Sequence, residues 1–118
     1  MNSRAKGKAG ELEAAKALTA VLECAVRRNA QYCGKAGDAD LYIEALPLLH
    51  TEIKRRRHPI TPDQSEAFLI QAQMDGGPLK LPWCIHRVDQ DTDWCVTLRL
   101  KRVYDLVDML AFHKGWRA

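Results

Sequence analysis

Asp40 stands twelve residues ahead of a Glu52-Ile53-Lys54 triplet, and together they form the strongest chemical signal in the sequence. Extended backbone turns successive side chains to opposite faces, so in a strand Glu52 and Lys54 share one face while Ile53 points away. If the two strands are neighbours, Asp40 at the edge of one approaches Glu52 on the other. Two carboxylates that close repel each other unless a cation lies between them. An oxygen-rich site of this kind suits Mg²⁺ or Mn²⁺, which bind through one or two carboxylates plus phosphate oxygens. Lys54 beside such an ion could hold a water or neutralise charge developing on a phosphate. A lone ExK triplet is also a common solvated strand face. This one is followed by a basic run, Lys54-Arg55-Arg56-Arg57, and has Asp40 and Glu11 at suitable distances along the chain.

The elements that must carry these residues follow from the surrounding pattern. A segment rich in Ala, Leu, Glu and Lys predicts a helix from about Ala9 to Glu23. Its inward stripe runs through Glu11, Ala15, Leu18 and Leu22, with Ala14 and Val21 alongside, whereas Leu12, Lys16, Thr19 and Glu23 make a wet face. Glu11 therefore falls on the first turn of the buried face, an odd place for a carboxylate without a task. Ahead of it, residues 1–8 are expected to be a basic and loosely ordered segment.

A strand is predicted near Cys24 to Ala30, then a turn containing Gly34 and Gly37. Leu41-Tyr42-Ile43 forms a second strand, entered through Asp38-Ala39-Asp40, and His50 to Arg55 a third beyond Pro47. Asp63 to Met74 reads as a helix, with Pro62 before it and Gly76-Gly77-Pro78 ending it. Trp83 to Val88 and Trp94 to Leu100 read as strands joined by the acidic turn at residues 89–93. A last helix, Lys101 to His113, places Val103, Leu106, Val107 and Leu110 toward the core. The order α-β-β-β-α-β-β-α predicts one α/β domain over residues 1–118, with a central mixed sheet flanked by helices.

Lys6-Gly7, Glu11 on the first helix, Asp40 in Gly37-Asp38-Ala39-Asp40-Leu41, and Glu52-Ile53-Lys54 resemble the PD-(D/E)XK nuclease superfamily. Within it the chain is most similar to the archaeal-type Holliday junction resolvases and their small phage-encoded relatives, over about Arg4 to Leu100. The resemblance implies a restriction-endonuclease-like fold and a homodimeric, Mg²⁺-dependent endonuclease, with Mn²⁺ able to substitute, that cuts four-way junctions in branched DNA. It casts Asp40, Glu52 and Glu11 as metal ligands and Lys54 as the lysine that positions the attacking water. Glu13 competes with Glu11 but lies about 200° around the helix, off the buried stripe. Asp38 competes with Asp40, which directly precedes the apolar strand. The glutamine that the family often carries on the next helix would be Gln71, or alternatively Gln73. Other nucleases of the superfamily, acting as nickases or on flaps or duplex DNA, are the first alternative. A DNA-binding protein that keeps the fold without catalysis is the second.

Composition frames these expectations. The chain has 118 residues, 47% hydrophobic and 28% charged, which suits a single folded domain. Its 18 Lys and Arg exceed its 15 Asp and Glu only slightly, but residues 1–60 hold 11 basic against 7 acidic side chains. That loading favours a polyanionic partner for the first half. Arg4, Lys6, Lys8, Arg55, Arg56 and Arg57 are the expected DNA contacts, and Arg27 and Arg28 extend the basic character beyond the first helix. No apolar run approaches the roughly 20 residues that span a bilayer, and the first residues lack the apolar core of a secretory signal. The expected location is cytoplasmic, where disulfides are rare. Cys24, Cys33, Cys84 and Cys95 contain no CxxC pair, and Cys84 and Cys95 read as small buried hydrophobes. His50, His58, His86 and His113 read as surface or strand-end residues, and Trp83 and Trp94 as packing between strands.

Overall fold

Good helix formers dominate the start of the chain, and they make one long helix, α1, spanning Ser3–Leu22. The computed structural model describes residues 3–29 and 39–116, with side chains from residue 7 onward. The basic segment expected to be loosely ordered is therefore helical from Ser3. Ala14, Ala15, Leu18 and Leu22 are buried along α1 as the stripe requires. Val21, at the rim of that stripe in the last turn, is 77% exposed rather than packed.

Eight further elements follow: β1 (Val26–Arg28), β2 (Leu41–Ile43), β3 (Leu49–Arg56), α2 (Pro62–Gly76), β4 (Leu81–Val88), β5 (Cys95–Thr97), a 3-10 turn (Leu100–Arg102) and α3 (Val103–Lys114). The strands form one five-stranded sheet in chain order. β1–β2, β2–β3 and β4–β5 are antiparallel, and β3–β4 is parallel, so the sheet is mixed. Only the parallel step needs a long crossover, and α2 supplies it. Thr61 caps α2 reciprocally: its hydroxyl accepts from Gln64 N–H (3.2 Å) while the Gln64 side chain accepts from Thr61 N–H (3.0 Å). Pro62 occupies the first turn, where a missing N–H costs nothing.

Leu49 through Ile53 are all buried along β3, because the strand is covered on both faces. Its odd-numbered side chains Leu49 and Ile53 join Leu81, Trp83 and Ile85 of β4 against the α1 stripe. Its even-numbered side chains turn toward α2, whose Leu69 and Ala72 are buried. Trp83 is buried with its indole N–H donating to Thr51 Oγ1 (2.6 Å), which satisfies a donor inside the core.

The last third departs from expectation in three places. β5 ends at Thr97, and the 3-10 turn takes up Leu100 before α3 begins at Val103. On α3, Leu106, Met109 and Leu110 pack against the core, but Val103 and Val107 are exposed, so the helix rolls about its axis relative to the expected face. Cys95 is exposed on the edge strand, whereas Cys84, on the interior strand β4, is buried. Among the described residues, no helix is long and apolar enough to cross a membrane.

Ile85 is 2% exposed at the centre of the cluster. Ile85→Ala should cost about 2–5 kcal/mol of stability, measured by urea unfolding with an unchanged slope. Burial pushes the Cys84 thiol up to about 12, so it should resist alkylation in the native protein while Cys95 is modified quickly. Peptide mapping after a short iodoacetamide pulse distinguishes the two, and equal labelling would contradict this placement.

Candidate functional site

β2 is only three residues long and pairs with β3 at Leu41↔Thr51. Among the described residues that is the only β2–β3 pair, and the next inward N–H on β3, that of Ile53, finds another acceptor. The Asp40 carboxylate provides it, accepting from Ile53 N–H at 2.8 Å. The Asp40 backbone is held as well: its N–H donates to Thr51 O (3.0 Å), and its carbonyl accepts from Asn29 N–H (3.1 Å). The residue that opens β2 is thus fixed at both main chain and side chain.

Glu52 is 5% exposed on the α2 side of β3. Its carboxylate meets Asp40 on one side and His50 on the other, where His50 Nε2 and Glu52 Oε1 lie 2.8 Å apart. Glu11 comes from the third turn of α1, since the helix begins at Ser3 rather than near Ala9, and its Oε2 accepts from Arg28 Nε of β1 at 2.5 Å. Burial, and next the charge of Glu52, raises Asp40 to about 7; hydrogen bonding with Glu52 and the charge of Glu11 add to this, and the Ile53 hydrogen bond opposes it. Three carboxylates therefore converge, and burial together with their repulsion keeps Asp40 partly protonated at neutral pH.

A cleft of about 350 Å³ opens over this group, lined by Glu11, Asp40, Lys54 and Arg55 to Arg57 together with Gly7 and Gly10. Asp40 and Glu11 face it, whereas Glu52 lies behind Asp40 and does not line it. The Lys54 ammonium sits 5.2 Å from the centroid of Phe68, and the Arg56 guanidinium 5.0 Å from the same ring. One aromatic side chain from α2 thus holds two cations at the rim.

The expected DNA contacts divide. Lys8, Arg56 and Arg57 are exposed. Arg55 is not a free cation as expected: its guanidinium pairs with Asp89 (3.0 Å) and Glu13 (3.4 Å), since its odd-numbered position turns it toward α1. Glu13, the rival of Glu11, also holds Arg87 (2.6 Å) and does not line the cleft. Arg4 and Lys6 lie on the first turns of α1, where only backbone is described, and Asp38, Cys33, Gly34 and Gly37 lie outside the described residues. Gln71 and Gln73 are exposed on α2 and do not line the cleft.

Two contributors escaped the sequence reading. His50, read as a surface or strand-end residue, stands at the start of β3 but is 3% exposed and bonded to Glu52; its place two residues before Glu52 on a doubly covered strand was the available signal. Phe68 falls six residues into α2 with nothing local to mark it. No protein-family model matches the chain, and neither does any curated protein or solved structure.

Asp40 gives a direct pH test. Its folded-state value, about 7, lies above the unfolded value of 3.8. The folded chain therefore binds the extra proton between these values, and this contribution is complete below about pH 4 and lost as pH rises through about 7. In EDTA, wild-type stability should fall relative to Asp40→Asn between pH 4 and pH 8, by up to about 4 kcal/mol. Parallel pH profiles for the two proteins would show that Asp40 carries no such strain.

Proposed function

We propose that the protein is a divalent-metal-dependent DNA endonuclease of the PD-(D/E)XK kind that acts on branched DNA, with the four-way junction as its substrate. The observation that carries this reading is the convergence of Glu11 and Asp40 beside Lys54 in a cleft with a basic rim, with the Glu52 carboxylate against Asp40 from behind. The donor set fits Mg²⁺ or Mn²⁺: it is all oxygen, and burial beside the like charges of Glu52 and Glu11 raises Asp40. Asp40, Glu11 and Glu52 would hold the ion. Bound there, it supplies Lewis-acid polarisation of the scissile phosphodiester.

The chain's own residues do the rest. Lys54, kept at the rim by Phe68, places an ammonium where a phosphate oxygen or an attacking water would lie. Arg28 holds the Glu11 carboxylate in its orientation. Lys8, Arg56 and Arg57 remain exposed for backbone phosphates, which position the nucleic acid without reading sequence. Two symmetric cuts in a junction require two sites related by a two-fold axis. The exposed Val96, Leu100, Tyr104 and Val107 on β5, the 3-10 turn and α3 offer an apolar surface for a second copy.

Labelled four-way junction, flap, linear duplex and single strand, each incubated with Mg²⁺ or EDTA, test the reading. Paired symmetric nicks in the junction alone are the expected result. Asp40→Asn should lower the cleavage rate by orders of magnitude while leaving most of the DNA affinity. Arg57→Ala should weaken binding on every sequence and reduce the salt slope by about 1. Equal cutting of linear duplex would move the assignment to another nuclease of the superfamily, and binding without cleavage would sink the catalytic reading.

A further inference from the structure

The Glu52 carboxylate has a second side. On it, His50, Glu52 and Asp75 bring one imidazole nitrogen and two carboxylates together, with their candidate ligand atoms all within 4.8 Å of one another. His50 and Glu52 are buried on β3, and Asp75 is exposed at the end of α2. Gly76 lets the helix end come this close: a Cβ there would lie 3.0 Å from both Cβ and Cγ of His50 and 3.1 Å from its Nδ1. A second cleft, of about 310 Å³, gives access, with His50, Asp75 and Gly76 in its wall. Lys80 in the same wall donates to Pro47 O (2.7 Å).

We infer that His50, Glu52 and Asp75 form a second divalent-cation site, selective for first-row transition ions such as Zn²⁺ or Co²⁺ over Mg²⁺. Three features point to a cation. His50 Nε2 and Glu52 Oε1 already face each other as a buried hydrogen-bonded pair at 2.8 Å, and an ion would take the place of the shared proton with Asp75 as its third donor. Asp75 lies at the negative end of the α2 dipole, in a last turn that contains no basic side chain, and a bound cation relieves that unfavourable placement. The imidazole sets the selectivity, because nitrogen donors suit Zn²⁺, Co²⁺ and Ni²⁺ whereas all-oxygen sets suit Mg²⁺. The site stands apart from the nuclease reading and shares only Glu52 with it, so one carboxylate lies between the two proposed cation sites.

The probe is Co²⁺, titrated into the full-length chain and followed by its visible d–d absorption. Asp75→Ala changes an exposed side chain and keeps the test independent of folding. It should weaken Co²⁺ binding about tenfold or more, as loss of even an outer partner of a metal site does. His50→Gln should do the same, with circular dichroism checking its fold, and Asp40→Asn should retain the Co²⁺ spectrum. Identical Co²⁺ affinity in wild type and Asp75→Ala overturns the site. So does loss of the spectrum in Asp40→Asn alone, which would assign the ion to the first cleft and leave the nuclease reading in place. A spectrum lost in Asp75→Ala, in a protein that cuts no DNA with Mg²⁺, sustains this site and removes the nuclease reading instead.

Discussion

The hydrogen bond from Ile53 N–H to the Asp40 carboxylate ties the sheet to the candidate site. A strand of three residues cannot satisfy the whole inner edge of an eight-residue neighbour, and the first donor left over is the one that Asp40 caps. Structure and electrostatics are joined at this point. The side chain that completes the β2–β3 ladder is also the one pressed against Glu52 and within the field of Glu11. A neutral residue able to accept the same bond would satisfy the ladder equally well. Burial and the neighbouring carboxylates raise Asp40 to about 7, so a cation in the cleft would lower the cost of ionising it.

Charge is handled in two ways around that point. On the α1 side, Glu13, Arg55, Arg87 and Asp89 neutralise one another in a network linking α1, β3 and the end of β4. On the α2 side, Lys54 and Arg56 lean on Phe68, which orients them without cancelling their charge. The alternation of β3 sorts its basic run accordingly: odd-numbered Arg55 becomes structural, while even-numbered Lys54 and Arg56 keep their charge at the rim. A count of basic residues overstates the surface available to a polyanion.

The helices, the five strands and the mixed α/β class were legible in the sequence because apolar periodicity and the Pro and Gly punctuation agreed with one another. The grouping of Glu11, Asp40 and Lys54 was legible for a related reason: a stripe and an alternation each fix a face. What stayed hidden depended on which layers cover a strand. His50 looked like a strand-end histidine because burial of β3 on both faces is set by α2, far along the chain. Cys95 and Val107 looked apolar and were expected inside, yet β5 is an edge strand and α3 covers only part of the sheet, so both remain exposed. The pairing of Arg55 with Asp89 spans 34 residues and has no local signature.

Glu52 lies between Asp40 and His50. As a ligand for the first cleft it would be expected to face solvent with Asp40, but it is buried behind Asp40 and bonded to His50. A buried carboxylate with a neighbouring carboxylate on one side and an imidazole on the other is stabilised by positive charge from either direction, a cation by Asp40 or a protonated or metal-bearing partner by His50. Charge brought to one side lessens the demand on the other, because the same two oxygens serve both. Occupancy of the two proposed sites would therefore be coupled through a single side chain. That coupling follows from the position of Glu52 in the middle of a strand covered on both sides, whatever substrate the first cleft receives.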